Sequence, residues 1–201
     1  MIAFRSKMDV KSVDDVFAEI NSRQIAALMM HDQMADYFDF LGLSGYKRLH
    51  LYQYFAESKE RRDVAHYYIN HHGKLIPDRF EGNVQMIPES WRSANRMSVG
   101  KSTKQKAVED GFSVYLGWEQ ATKDVYQKYA TALREQGCVA DAIFVDRLVE
   151  DVDNELERLE RIITDLITSG YDPVYIVESQ KELHDKYKKK MRGGVKRGST
   201  D

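Results

Sequence analysis

Apolar residues recur every three or four positions along most of this chain, the spacing of a helix that buries one face. From Val13 the pattern passes through Phe17, Ile20, Gln24, Ala27, His31, Met34 and Phe38, and it stops before Gly42. Ser12 and Asp15 read as a capping box that meets the orphan amides of the first turn. A second stripe opens at Ser44 and takes in Tyr46, Leu49, Gln53, Ala56, Glu57, Glu60, Val64 and Tyr67 before Gly73. The third follows Ser102 and Gln105, read as another capping box, with Val108, Phe112, Tyr115, Glu119, Thr122, Tyr126, Tyr129 and Leu133 inside and Gly137 as its stop. The fourth runs from about Asp141 to Gly170, with Val145, Leu148, Val152, Glu155 or Leu156, Leu159, Ile163 and Leu166 inward. Asp172-Pro173 then makes an N-cap and first-turn pair for a terminal helix through about Met191. No stretch alternates with period two, so no strand is predicted.

The spacing of these helices sets their arrangement. Residues 73–101 carry two of the three prolines and no long period, which predicts a long crossover connection. The links on either side are short. Short, long, short is the order of an all-α, antiparallel four-helix bundle with one long crossover, here with a short C-terminal fifth helix. Residues 1–191 form a single helical domain on this reading, and 192–201 a basic, flexible tail.

Composition narrows the setting. The formal charge of −2 over 201 residues argues against nucleic-acid or membrane binding by the chain as a whole. The single cysteine, Cys138, excludes an intramolecular disulfide framework and suits a reducing compartment. The segment "MIAFRSKMDV" lacks the apolar core of a signal peptide, and no run approaches the length of a membrane span. A cytoplasmic protein with no membrane partner is expected.

The candidate chemistry lies in the second and third stripes. Glu57 and Glu60 stand three residues apart, on one helix face, beside positions that read as interior. Glu119 interrupts the third stripe in the same way. Buried carboxylates need pairing, protonation or a metal, because an uncompensated buried charge costs several kcal/mol. Two readings are open. The glutamates face inward and hold metal, with His31 adding a nitrogen and Glu155 a fourth-helix carboxylate; or Glu57 and Glu60 pair at the surface with Lys59, Arg61 and Arg62, and Glu119 with Lys123. On the second reading His31 is a hydrogen-bonded core histidine, and Glu155 belongs to the acidic surface of "DVDNELERLE". Oxygen and nitrogen donors of this type suit iron or manganese, with zinc competing.

Three segments carry a family resemblance. "FAESKERRDVAHYYINHHGKLI" resembles the end of the second helix of the ferritin-like superfamily, where a Glu-x-x-His pair precedes a helix tail and glycines. "GWEQATKDVYQKYATALREQGCVADAIF" is similar to the third ferritin helix and the turn after it, with Glu119 at the metal-binding glutamate. "LVEDVDNELERLERIITDLITSGYD" looks like the fourth helix and its exit glycine, and the whole resemblance spans roughly residues 12–190. It implies a di-iron site inside the bundle that oxidises ferrous iron, and a hollow homo-oligomer that stores or detoxifies the product. The residues it implies are Glu57, Glu60 and Glu119 as catalytic ligands, joined by His31 and Glu155.

The chain also departs from that pattern. The histidine of the Glu-x-x-His pair is Glu60; the first-helix glutamate position falls within Gln24 to Leu28, where there is no carboxylate; and the fourth-helix ligand position falls at or beside Val152. Those departures leave a second function open, a non-catalytic ferritin-like scaffold or interaction protein with a degenerate metal site. The basic end bears on it: Lys181 to Asp201 holds eight Lys or Arg against three acidic residues. Dps-type relatives hold DNA through such termini, a sequence-independent, salt-sensitive mode.

Overall fold

A computed structural model describes residues 12–77 and 100–196, with the side chains of 101 and 192–196 left aside. Among the described residues there are five helices and no strand: α1 (Val13–Phe40), α2 (Ser44–His72), α3 (Lys101–Glu135), α4 (Val139–Thr168) and α5 (Pro173–Lys196). The fold is all-α, a four-helix bundle with a C-terminal fifth helix. α1 packs on α2, α3 on α4, and α5 lies against α2. Most of the expected crossover, residues 78–99, is outside the described residues.

Local chemistry sets most helix ends. The Ser12 oxygen accepts the Asp15 amide at 3.2 Å while its hydroxyl donates to the Asp15 carboxylate at 2.9 Å. Asp172 caps α5, its carboxylate accepting the amides of Val174 and Tyr175 at 2.8 and 3.2 Å. α2 ends where Gly73 enters the left-handed region at φ 67°, which a residue with a Cβ adopts only at a cost. The expected capping box of α3 is a correction. That helix starts from Gly100 with no side-chain cap, and the Gln105 amide donates instead to the Tyr171 carbonyl in the α4–α5 turn at 2.9 Å. α5 also continues past Met191 to Lys196, into the stretch expected to be tail. The expected DNA-binding end falls largely on side chains from 192 onward, which lie outside those described.

The stripes bury as their spacing predicts in α1 and α3. Phe17, Ile20, Met34 and Phe38, with Phe112, Tyr115, Tyr129 and Leu133, are almost wholly inside. α2 differs. Tyr68 rather than Tyr67 is fully buried, and Ala56 is exposed. The core divides into two apolar clusters. One is built around Phe38, Tyr46 and Phe112 and the other around Phe17, Val64 and Tyr129. Along α1, α2 and α3 the boundary between them falls where the stripes turn polar, at Gln24, at Glu57 and Glu60, and at Glu119.

Candidate functional site

That polar layer surrounds a cavity of about 220 Å³. Glu57 and Glu60 reach it from α2, Glu119 from α3, Glu155 from α4, and Arg23 from α1. Glu119 is 3% exposed; Glu57, Glu60 and Glu155 are half-buried. The surface ion-pair reading of these residues does not describe the molecule. Lys59 pairs with Asp63 at 3.8 Å and Lys123 with Asp153 at 2.6 Å, leaving Glu119 to the interior.

Crowding sets the electrostatics. Burial raises Glu57 well above the ordinary carboxylate range, and Glu60, Glu119 and Glu155 push it further, with Arg23 opposing. Glu119 is likewise driven well upward, by burial and then by Glu155, again with Arg23 opposing. Glu60 is raised to about 7 by burial, with Asp151 at the rim adding to the shift and a hydrogen bond from Gln24 working against it. Burial also raises Glu155, against the hydrogen bond it receives from the Tyr115 hydroxyl. Desolvation thus dominates at each carboxyl.

Two of the four carboxylates are tied to neighbours. Gln24 Nε2 donates to Glu60 Oε1 at 3.0 Å; the Tyr115 hydroxyl, which receives Gln53 Nε2 at 3.0 Å, donates to Glu155. Glu119 Oε1, by contrast, is buried with no hydrogen-bond partner among the described residues. A desolvated acceptor with nothing to accept is a costly arrangement, and a cation or a proton relieves it. By chemistry the donors fit a hard, oxygen-preferring divalent ion. By present geometry they are apart: among the described residues no three His, Cys, Asp or Glu side chains converge on one metal position. Closing a coordination sphere therefore requires these side chains to draw together.

The structure does not bring His31 to the cavity. It lies two helical turns beyond Gln24, fully buried, with Nδ1 3.0 Å from His50 Nδ1. The Tyr115 ring packs on both imidazoles, while its hydroxyl reaches Glu155 on the other side. Burial holds His31 well below the usual imidazole range and His50 at about 3, so both rings are neutral. Sequence reasoning missed His50 and, more consequentially, Arg23. Arg23 is 4% exposed and stacks on Trp118 with its guanidinium carbon 4.6 Å from the ring centroid. It stands three residues after Ile20 and four before Ala27, so the spacing admits it to the buried face, and only its charge argued against placing it there.

No family model matches the chain, and no curated protein does either. Solved structures do. An open-pore ferritin from the archaeon Archaeoglobus fulgidus superimposes with a TM-score of 0.70 at 16% identity, over 88% of this chain and 98% of that one. A closed form of the same ferritin, made by site-directed mutagenesis, gives 0.69 at 16% identity, over 87% and 96%. Apo-ferritin from Pseudo-nitzschia multiseries gives 0.67 at 16% identity, over 85% and 98%. At that identity the likeness is one of fold.

Proposed function

We propose that this protein is a ferritin-like iron-binding protein that takes ferrous iron, as substrate, into the carboxylate cavity of its bundle, oxidises it there, and stores or detoxifies it in a homo-oligomer. One observation carries the reading: four glutamates from three helices surround a single cavity, one of them with a buried, unpartnered oxygen. Glu57, Glu119 and Glu60 would supply ligands, and Glu155 a fourth through the oxygen that Tyr115 leaves free. Manganese suits the same donors, and zinc competes for them. The ferritins that share the fold support the assignment by analogy, one of them having been soaked in iron. A free Cys138 supports a reducing, cytoplasmic setting.

The test is ferrous oxidation in air. Wild type should oxidise iron faster than buffer, and Glu57→Gln and Glu119→Gln should fall to the buffer rate while remaining folded. A second reading, the non-catalytic scaffold, is favoured by the bonds from Gln24 and Tyr115 together with the lack of a converged ligand set among the described residues. It gains the field if wild type neither oxidises iron above background nor melts higher with manganese.

A further inference from the structure

Exposure is uneven around the carboxylate cavity. Its α1 and α3 walls, with Arg23, Trp118, Glu119 and Tyr126, are buried. The exposed residues of its lining are Ala56 of α2 and Asp151, Asn154 and Arg158 of α4. Among the described residues α2 packs on α1 and α5, and α4 on α3, while α2 and α4 are not closely packed on each other. The cavity therefore opens to solvent along the α2–α4 seam. One end of that seam is closed. Tyr187 of α5 is 5% exposed and stands with Leu49 and Gln53 of α2 and Leu159 and Ile162 of α4 around a void of about 10 Å³, room for at most a water. Its ring packs on Tyr52 at 5.0 Å, and the Lys190 ammonium lies 5.1 Å from the Tyr52 centroid. Arg158 borders both the void and the cavity, so this end presents aromatic rings and cations.

The other end presents acid. Asp151 stands on the same α4 face as Glu155, four residues before it, and its charge acts on Glu60 across the seam. Carboxylates then deepen inward, from exposed Asp151 through half-buried Glu60 and Glu155 to Glu119, whose buried Oε1 has no partner among the described residues. A cation that follows this series exchanges water for oxygen ligands in steps, which avoids the cost of stripping it all at once. We propose that the Asp151 end of the α2–α4 seam is the port through which divalent cations pass between solvent and the cavity, with Asp151 the first carboxylate they meet. This rests on the cavity being the metal site proposed above. Negative charge at a mouth raises the local cation concentration and the association rate, an effect that salt screens. The width of a mouth sets the rate of passage in both directions and leaves the equilibrium alone.

Stopped-flow binding of cobaltous ion to the full chain tests it, in a Trp91→Phe background where Trp118, in the cavity wall, is the one tryptophan left to be quenched. Only the quench that disappears in Glu119→Gln is counted, which sets surface binding aside. Asp151→Asn should slow association about threefold or more at low salt, with the difference shrinking at high salt. Ala56→Phe, which puts a bulkier side chain on the lip, should slow association and release by similar factors and leave the midpoint of an equilibrium titration in place. Glu157→Gln removes an α4 carboxylate outside the cavity lining and should leave both rates as in the parent. Circular dichroism reports whether each variant is folded. Unchanged association in folded Asp151→Asn overturns the proposal, and so does equal slowing by Glu157→Gln or unchanged rates in folded Ala56→Phe. In each of those cases a quench that Glu119→Gln abolishes leaves the metal site standing, reached by another path. If the parent shows no such quench, the metal reading falls and the port with it.

Discussion

At the scale of single residues, this bundle holds two sets of groups whose ionisation opposes folding in opposite directions. The carboxyls are raised by burial, Glu60 from 4.5 to about 7 and Glu57 and Glu119 well above 4.5. Their contribution is fully present below pH 4.5 and is lost as pH rises through the folded values, because the unfolded chain releases its protons first. The imidazoles are lowered by burial, His50 from 6.5 to about 3 and His31 well below 6.5. Their contribution is present above pH 6.5 and is lost as pH falls toward 3. Metal-free protein should therefore melt highest between the two unfolded values and lower on either side. Glu57→Gln and Glu119→Gln should each flatten the alkaline limb, by on the order of 1 kcal/mol or more. Melting temperatures of chelator-treated protein at about pH 4, 5.5 and 8 would show it. A curve that rises monotonically to alkaline pH would mean that the glutamates are solvated. Saturating manganese should raise the alkaline limb most, since a bound cation favours the ionised carboxylates.

At the scale of the helix, a close backbone approach joins α2 to α5. Gly45 faces the backbone of Gln180 so tightly that a Cβ there would overlap the Gln180 carbonyl. The Gly45 amide also donates to the Gln180 side-chain oxygen at 2.8 Å, and the Tyr46 and Ser179 hydroxyls are bonded at 2.8 Å. Gly45→Ala should push α5 off the bundle, costing about 1–3 kcal/mol as overpacking does. Thermal melting and limited proteolysis of the α5 segment check this, and cleavage no faster than wild type would contradict it. The other end is closed by side chains. His72 and Tyr67 from α2 meet Asp141 at the start of α4 at 2.9 and 3.1 Å, and Tyr68 with Lys74 holds Asp14 of α1 at 2.6 Å each. With both ends tied, the cavity is left as a polar break between the two apolar clusters.

At the scale of the molecule, storage needs an enclosed space that a single bundle does not have. The proposed role therefore predicts a closed, symmetric assembly, whose subunits bury outer helix faces in one another. Phe55 of α2 is 57% exposed and Val174 of α5 66%, large apolar side chains that such contacts would cover. Light scattering at micromolar concentration should report a mass that is a multiple of the chain's. A monomer would remove the storage role and shift weight to the scaffold reading. No helix among the described residues is long and apolar enough to cross a membrane.

The period of the apolar positions determined the helices, because a one-sided stripe has no other way to bury itself, and the lengths of the connections determined the bundle. Glu57, Glu60 and Glu119 were legible for a related reason: a carboxylate on a stripe is conspicuous, and the structure gathers all three on one cavity with Glu155. Position along a stripe, however, gives the face of a helix and not the height at which it meets its neighbours. That height decided that His31 pairs with His50 one layer away instead of joining the glutamates. It also decided that Arg23 of α1 enters the cavity because Trp118 and Thr122 of α3 stand at its level to receive it. Charge compensation inside a protein depends on distances between elements remote in sequence, so only the packed bundle could show that the carboxylates already have a cation of their own.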